Sequence, residues 1–239
     1  MDEPRAAHYV ADVAVVDEAV AAPWRAGGRT QPRLRGWIHL CSVPFAVAAA
    51  FALVLLAPNA AARLAAVVYG VAVCALFTVS ALYHRVRWYA VAHLRMRRLD
   101  HGTIFVMIAG TYTPVCLLAL TGATGVVLLT IVWTVAAAAF VLSVAGIADR
   151  SQVAKGACYI GLGWIAVVVS PQLVAQLAAW QLLLVALGGA LYSVGALCLA
   201  TGRPDPFPAT FGYHEIWHVL VVLACACQYV VVLSLVRAG

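Results

Sequence analysis

Between Trp37 and Val236 the chain repeatedly runs for about twenty residues without a charge, the length a helix needs to cross a bilayer. This constrains the fold more than any motif does. In lipid every backbone polar group must be satisfied internally, which leaves only helices or a closed barrel. The runs are rich in Ala, Leu and Val and lack the ten-residue alternation of a membrane barrel. With 65% of its 239 residues hydrophobic and 10% charged, the chain has more apolar surface than a soluble domain of this size can bury. The prediction is an all-α integral membrane protein, a seven-transmembrane helix bundle.

The expected spans are 37–57, 64–84, 100–120, 124–147, 157–174 (bent near Pro171), 180–200 and 213–236. They form one membrane domain over residues 36–237, preceded by residues 1–35, which read as a mobile cytoplasmic tail. No basic start followed by an apolar core marks that tail as a signal peptide. Of the fifteen Lys and Arg, all but Arg63 and Arg237 fall in the tail or in the loops after the second, fourth and sixth spans. Basic residues mark the cytoplasmic side, so the N-terminus is expected inside and the C-terminus outside, in a plasma membrane. The net charge of +6 is then a topology signal, with no nucleic-acid partner implied. The seven cysteines all lie in apolar runs without C-x-x-C spacing and read as buried hydrophobes. Gly161, Gly163, Gly188, Gly189 and Gly195 are expected where helices approach closely.

On this topology five of the seven histidines share one layer at the cytoplasmic ends: His39, His84, His101, His214 and His218. His8 falls in the tail and His93 in the basic loop. His214 and His218 are four apart on one helix face, close enough to share a metal ion. Ionisable groups at membrane depth face the bundle interior in pairs or around a cavity. Three histidines with an open fourth position is a common catalytic zinc arrangement. Ser80 lies one helical turn before His84, and Asp100 begins the third expected span. Other roles are open to these residues: Asp100 as a helix cap, Ser80 bonded to its own helix, His39 and His101 as interfacial side chains. His214 to His218 also matches H-E-x-x-H, in which the glutamate is a metalloprotease's base. Glu215, however, points about 100° away from His214 around the helix, and an acid there suits the helix dipole.

Ser80-Ala81-Leu82-Tyr83-His84, Leu99-Asp100-His101 leading to Ala109-Gly110-Thr111-Tyr112-Thr113-Pro114, and His214-Glu215-Ile216-Trp217-His218 together resemble the haemolysin III family. This is the bacterial branch of the progestin and adipoQ receptor family. The resemblance covers about residues 33–236. It implies zinc ligands His84, His214 and His218, with Asp100 contacting the zinc's water and Ser80 beside them. Adiponectin receptors and alkaline ceramidases in the wider group are associated with amide hydrolysis in lipids. The implied activity is a zinc-dependent, ceramidase-like hydrolase with a membrane lipid as substrate. Two alternatives stand beside it: a membrane sensor with a structural zinc site closed by Asp100 or His101, and a haemolysin-type pore former. Thr78, Ser143, Ser170 and Ser193 offer no obvious polar stripe for a pore. The family's first-span E-x-x-N-x-x-x-H pattern is broken here, with Pro32 and Arg35 at its first two positions and only His39 kept. Gln228-Tyr229 stands where a late histidine is often found.

Overall fold

The computed structural model describes residues 31–239, so most of the expected tail, with His8, lies outside the described residues. The helices are α1 (Trp37–Leu56), α2 (Ala60–Arg85), α3 (Ala90–Leu118), α4 (Ala123–Val144), α5 (Gln152–Trp164), α6 (Ser170–Gln176), α7 (Ala179–Thr201) and α8 (Tyr213–Ala238). Helices α5 and α6, joined by a 3₁₀ turn over Ile165–Val169, form one membrane span. Seven spans are long and apolar enough to cross a bilayer, and no sheet occurs among the described residues. The seven-helix prediction holds.

Three local readings are corrected. Helix α3 starts at Ala90, ten residues before the expected span. Ala90, Ala92 and Leu94 to Arg98 are good helix formers whatever their charge, so the helix continues about 15 Å beyond Asp100. Asp100 is therefore inside a helix and caps nothing. Its carbonyl accepts a 2.7 Å hydrogen bond from Thr103 Oγ1.

The fifth span breaks before Pro171 and does not simply bend at it. A proline at 171 cannot donate to the carbonyl of residue 167, and the chain tightens into 3₁₀ geometry there. Tyr112 of α3 repairs the break. Its hydroxyl donates to the Gly163 carbonyl at 2.7 Å and accepts from the Ala166 N–H at 3.0 Å. Satisfaction by a neighbouring helix is what makes a broken helix tolerable in lipid.

Glycine packing is confirmed at two of the expected positions. A Cβ at Gly195 would come within 2.7 Å of the Trp217 ring, and one at Gly188 within 2.5 Å of Gln228. These glycines let α7 lie close to α8. Gly161 and Gly163 face open space, so their expected packing role falls away.

Consecutive helices α1 to α4 pack side by side, and α8 packs against α1, α2, α3 and α7. About half of α2, α3 and α8 is buried within the protein (56, 56 and 44% of their apolar windows), against 11–22% for the other spans. The outer helices spend their apolar faces on lipid. The three inner helices are also the ones that carry Ser80 and His84, Asp100, and His214 and His218. Two apolar clusters support them: Leu53, Tyr69, Phe77 and Val232 among α1, α2 and α8, and Phe105, Val132, Leu173 and Val231 on the side of α3 to α6.

At the far end, Asn59 caps α2 by accepting from the Ala62 N–H at 2.9 Å, and its amide donates to the Gly239 carbonyl. This ties the end of α8 to the α1–α2 turn.

Candidate metal centre

His84 is in the last turn of α2, and His214 and His218 occupy the first turns of α8. Their four-residue spacing puts the α8 pair on the face turned to α2. The three imidazoles offer ligand atoms that all lie within 4.8 Å of one another. His84 Nε2 and His214 Nε2 are 3.2 Å apart. Two nitrogens bound tetrahedrally to one zinc at 2.0–2.1 Å would be about 3.3 Å apart. His218 Nε2 is buried and has no protein partner among the described residues. A buried polar atom needs an explanation, and a shared metal ion supplies one. The three histidines fit a divalent metal.

The other predicted residues sort clearly. The Asp100 carboxyl faces the Ser80 hydroxyl, one turn along α2 from His84. Ser80 Oγ is buried and closes no hydrogen bond to protein, so it is not spent on its own helix. Asp100 is not a fourth member of the histidine group. His101 is turned elsewhere. Its Nδ1 sits 3.0 Å from Lys155 Nζ, and its carbonyl accepts from the Tyr159 hydroxyl at 2.8 Å. That engagement argues against His101 as a closing ligand. His93 lies over Tyr83, with ring centroids 5.0 Å apart.

His39 is no interfacial side chain. It is 2% exposed, with Nε2 at 3.1 Å from His218 Nδ1.

Glu215 is fully buried and engaged away from the imidazoles. One oxygen accepts the N–H of Gly212 at 2.9 Å, which satisfies an orphan donor at the start of α8. The other meets Arg35 Nε at 2.6 Å. The base of an H-E-x-x-H protease would instead face the metal.

Arg35 belongs to a short strap, residues 31–36, of which sequence reading assigned 31–35 to the tail. The N–H groups of Arg33 and Leu34 donate to the carbonyls of Ala209 and Thr210, both at 3.1 Å. Gly36 follows with φ +78°, a conformation open to glycine at no steric cost. A Cβ there would lie 2.6 Å from the His84 Cβ. The strap therefore rests directly on His84, and only a glycine fits. Beyond the strap, Asp205 Oδ1 accepts the Tyr213 N–H at 3.2 Å, a second support for the start of α8.

A second polar group ties the loop after α4 to the same end. Asp149 pairs with Arg97 at 3.0 Å, Arg98 at 2.8 Å and Lys155 at 3.7 Å. Burial alone would raise its pKa, but the Arg98 hydrogen bond and the neighbouring cations outweigh that and hold it below the usual carboxylate range.

The sequence model of the family described as Haemolysin-III related matches residues 28–229. The chain is similar to Hemolysin-3 of Bacillus cereus, 36% identical over 175 residues that cover 73% of this chain and 76% of that one. It is also similar to the Hemolysin-3 homolog of Bacillus subtilis, 32% identical over 70% of this chain and 74% of the relative. A more distant likeness, 27% identical over 70% and 68%, is to the human monocyte to macrophage differentiation factor. A seven-span bundle, a trio of histidines at one end and a family match across nearly the whole membrane domain lead to one assignment: the chain belongs to the haemolysin III family of multi-pass cell-membrane proteins.

Proposed function

We propose that this protein is a zinc-dependent hydrolase that cleaves an amide bond in a membrane lipid, with its site at the cytoplasmic end of the bundle. One observation carries the reading. Three converging imidazoles stand near a carboxyl, Asp100, and a hydroxyl, Ser80, that is directed toward it, buried and bonded to no other protein group among the described residues. A purely structural site has no use for that second pair. The orientation follows from the basic residues, which gather at the histidine end.

His84, His214 and His218 would hold the ion, and a set of imidazoles with an open position suits zinc. When bound, zinc supplies Lewis-acid polarisation and lowers the pKa of a water toward about 7. In this reading Asp100 would take the water's proton as the new C–O bond forms. It then returns that proton to the amide nitrogen as the C–N bond breaks, leaving a carboxylic acid and an amine. The Ser80 hydroxyl orients the carboxyl or donates a hydrogen bond to the substrate carbonyl. A lipid suits the location, because its head can reach the histidine layer while its acyl chain stays among apolar helices.

The test is metal analysis and turnover of a panel of acyl-amide lipids by purified protein. The expected result is one zinc per chain, lost in His214→Ala. Asp100→Asn should keep the zinc and lose about 10²–10⁴-fold in rate, the usual contribution of a general base. Zinc retained by the wild type with no turnover across the panel would reduce the site to a structural one.

A further inference from the structure

We propose that His39 is a positioning residue for the metal centre, fixing the His218 ring in the tautomer that can ligate through Nε2. The inference rests on the metal-binding reading of the three histidines and deepens it.

His39 Nε2 and His218 Nδ1 are 3.1 Å apart, with ring centroids at 4.1 Å and the rings nearly perpendicular. A hydrogen bond between two neutral imidazoles can run either way. If His39 donates, the proton of neutral His218 sits on Nε2. That nitrogen is buried among the other two rings, whose centroids lie 5.2 Å (His84) and 4.6 Å (His214) from that of His218. A protonated Nε2 cannot bind a metal. If His218 donates from Nδ1, its Nε2 carries a free lone pair, and His39 must accept with its own proton on Nδ1. Metal-bound histidines usually give their second N–H to a carboxylate, a carbonyl or water. Here an imidazole from another helix fills that place.

The contact is held by packing, while His39 Nδ1 is buried with no protein partner among the described residues. His39 is buried and packs on Phe77 of α2, with centroids 5.0 Å apart. It begins one turn after Gly36, which rests on His84, and Arg35, which grips Glu215 between the two α8 histidines. The start of α1 therefore reaches both helices of the metal centre. No ligand count reveals this, because His39 lies outside the group of three.

The experiment is zinc affinity of the full chain in detergent, measured by competition with a chelating dye. Melting temperatures of the zinc-free and zinc-loaded forms are measured alongside. His39→Phe keeps the ring shape against Phe77 and removes the acceptor. It should weaken zinc binding about 10–100-fold, the usual effect of losing such a partner, while the zinc-free protein melts near the wild type. His39→Gln, whose carbonyl oxygen can accept from Nδ1–H, should recover part of the affinity. His39→Phe that binds zinc as tightly as wild type overturns the proposal. So does an affinity loss matched by an equal loss of zinc-free stability that His39→Gln does not rescue, because that marks a packing role. Wild-type protein that binds no zinc overturns the metal-centre reading itself, a separate and recognisable failure.

Discussion

Removing Arg35 should cost far more when Glu215 is left behind than when Glu215 is neutralised with it. The pair is asymmetric: the Arg35 side chain is 17% exposed and the Glu215 side chain 0%. Arg35→Ala leaves a buried carboxylate with only the Gly212 N–H for company. Breaking a buried pair by deleting one partner costs about 3–5 kcal/mol. Water can enter where the partly exposed guanidinium was, so the lower end, about 3 kcal/mol, applies. For a chain of this length each kcal/mol moves the midpoint by about 2–4 °C, which gives a fall of roughly 6–12 °C. Glu215→Gln alone should cost about 1 kcal/mol, because Gln can still accept from Gly212 and Arg35 can turn to water. The double variant should then lie near Glu215→Gln, well above Arg35→Ala. A double-mutant cycle read by tryptophan fluorescence during heating in detergent measures the coupling. Additive losses, or an Arg35→Ala protein as stable as wild type, would refute the reasoning. The same variants address chemistry. Glu215→Gln should retain zinc and lipid turnover, whereas a protease-type base at this position could not be replaced without abolishing activity.

Three further outcomes follow from other contacts. Tyr112→Phe removes the hydroxyl that serves both Gly163 and Ala166; two such bonds in a bundle are worth about 1–3 kcal/mol, and the same melting assay should show a loss without loss of zinc. Gly36→Ala must adopt a left-handed backbone, about 1–2 kcal/mol, and would press on the His84 Cβ, so zinc content should fall together with stability. Asp149 has a folded pKa below its ordinary 3.8, so its ion pairs contribute fully above that value and are lost as pH drops through the folded pKa. Asp149→Asn should therefore flatten the acid limb of a melting-temperature profile below about pH 4 and lower stability at neutral pH.

The seven spans were legible because hydropathy and length alone decide what can cross a bilayer. Their ends were less so. The start of α3 was hidden by Arg95, Arg97 and Arg98, since charge ends a membrane span but does not end a helix. The histidine layer was legible because positions near span ends translate into depth, which puts His84, Asp100 and His214 at one level. What no periodicity could show was lateral pairing. His39 meets His218, and Arg35 meets Glu215, across separations of 179 and 180 residues. Nothing local in sequence marks either pair.

The second pair joins two features that looked unrelated when read separately. The first-span family pattern is broken at Arg35, and the acid of H-E-x-x-H had no task among the three histidines. In the fold they are one contact, with the charge of each accounting for the other. A buried glutamate at position 215 is tolerable because an arginine stands at 35, and that arginine brings the Gly36 turn down onto His84. The departure from the pattern thus leaves the three histidines intact, and the contacts of Arg35 and Gly36 fasten the first helix over them. His39, the one position of the pattern that survives, is the residue that this fastening delivers to His218.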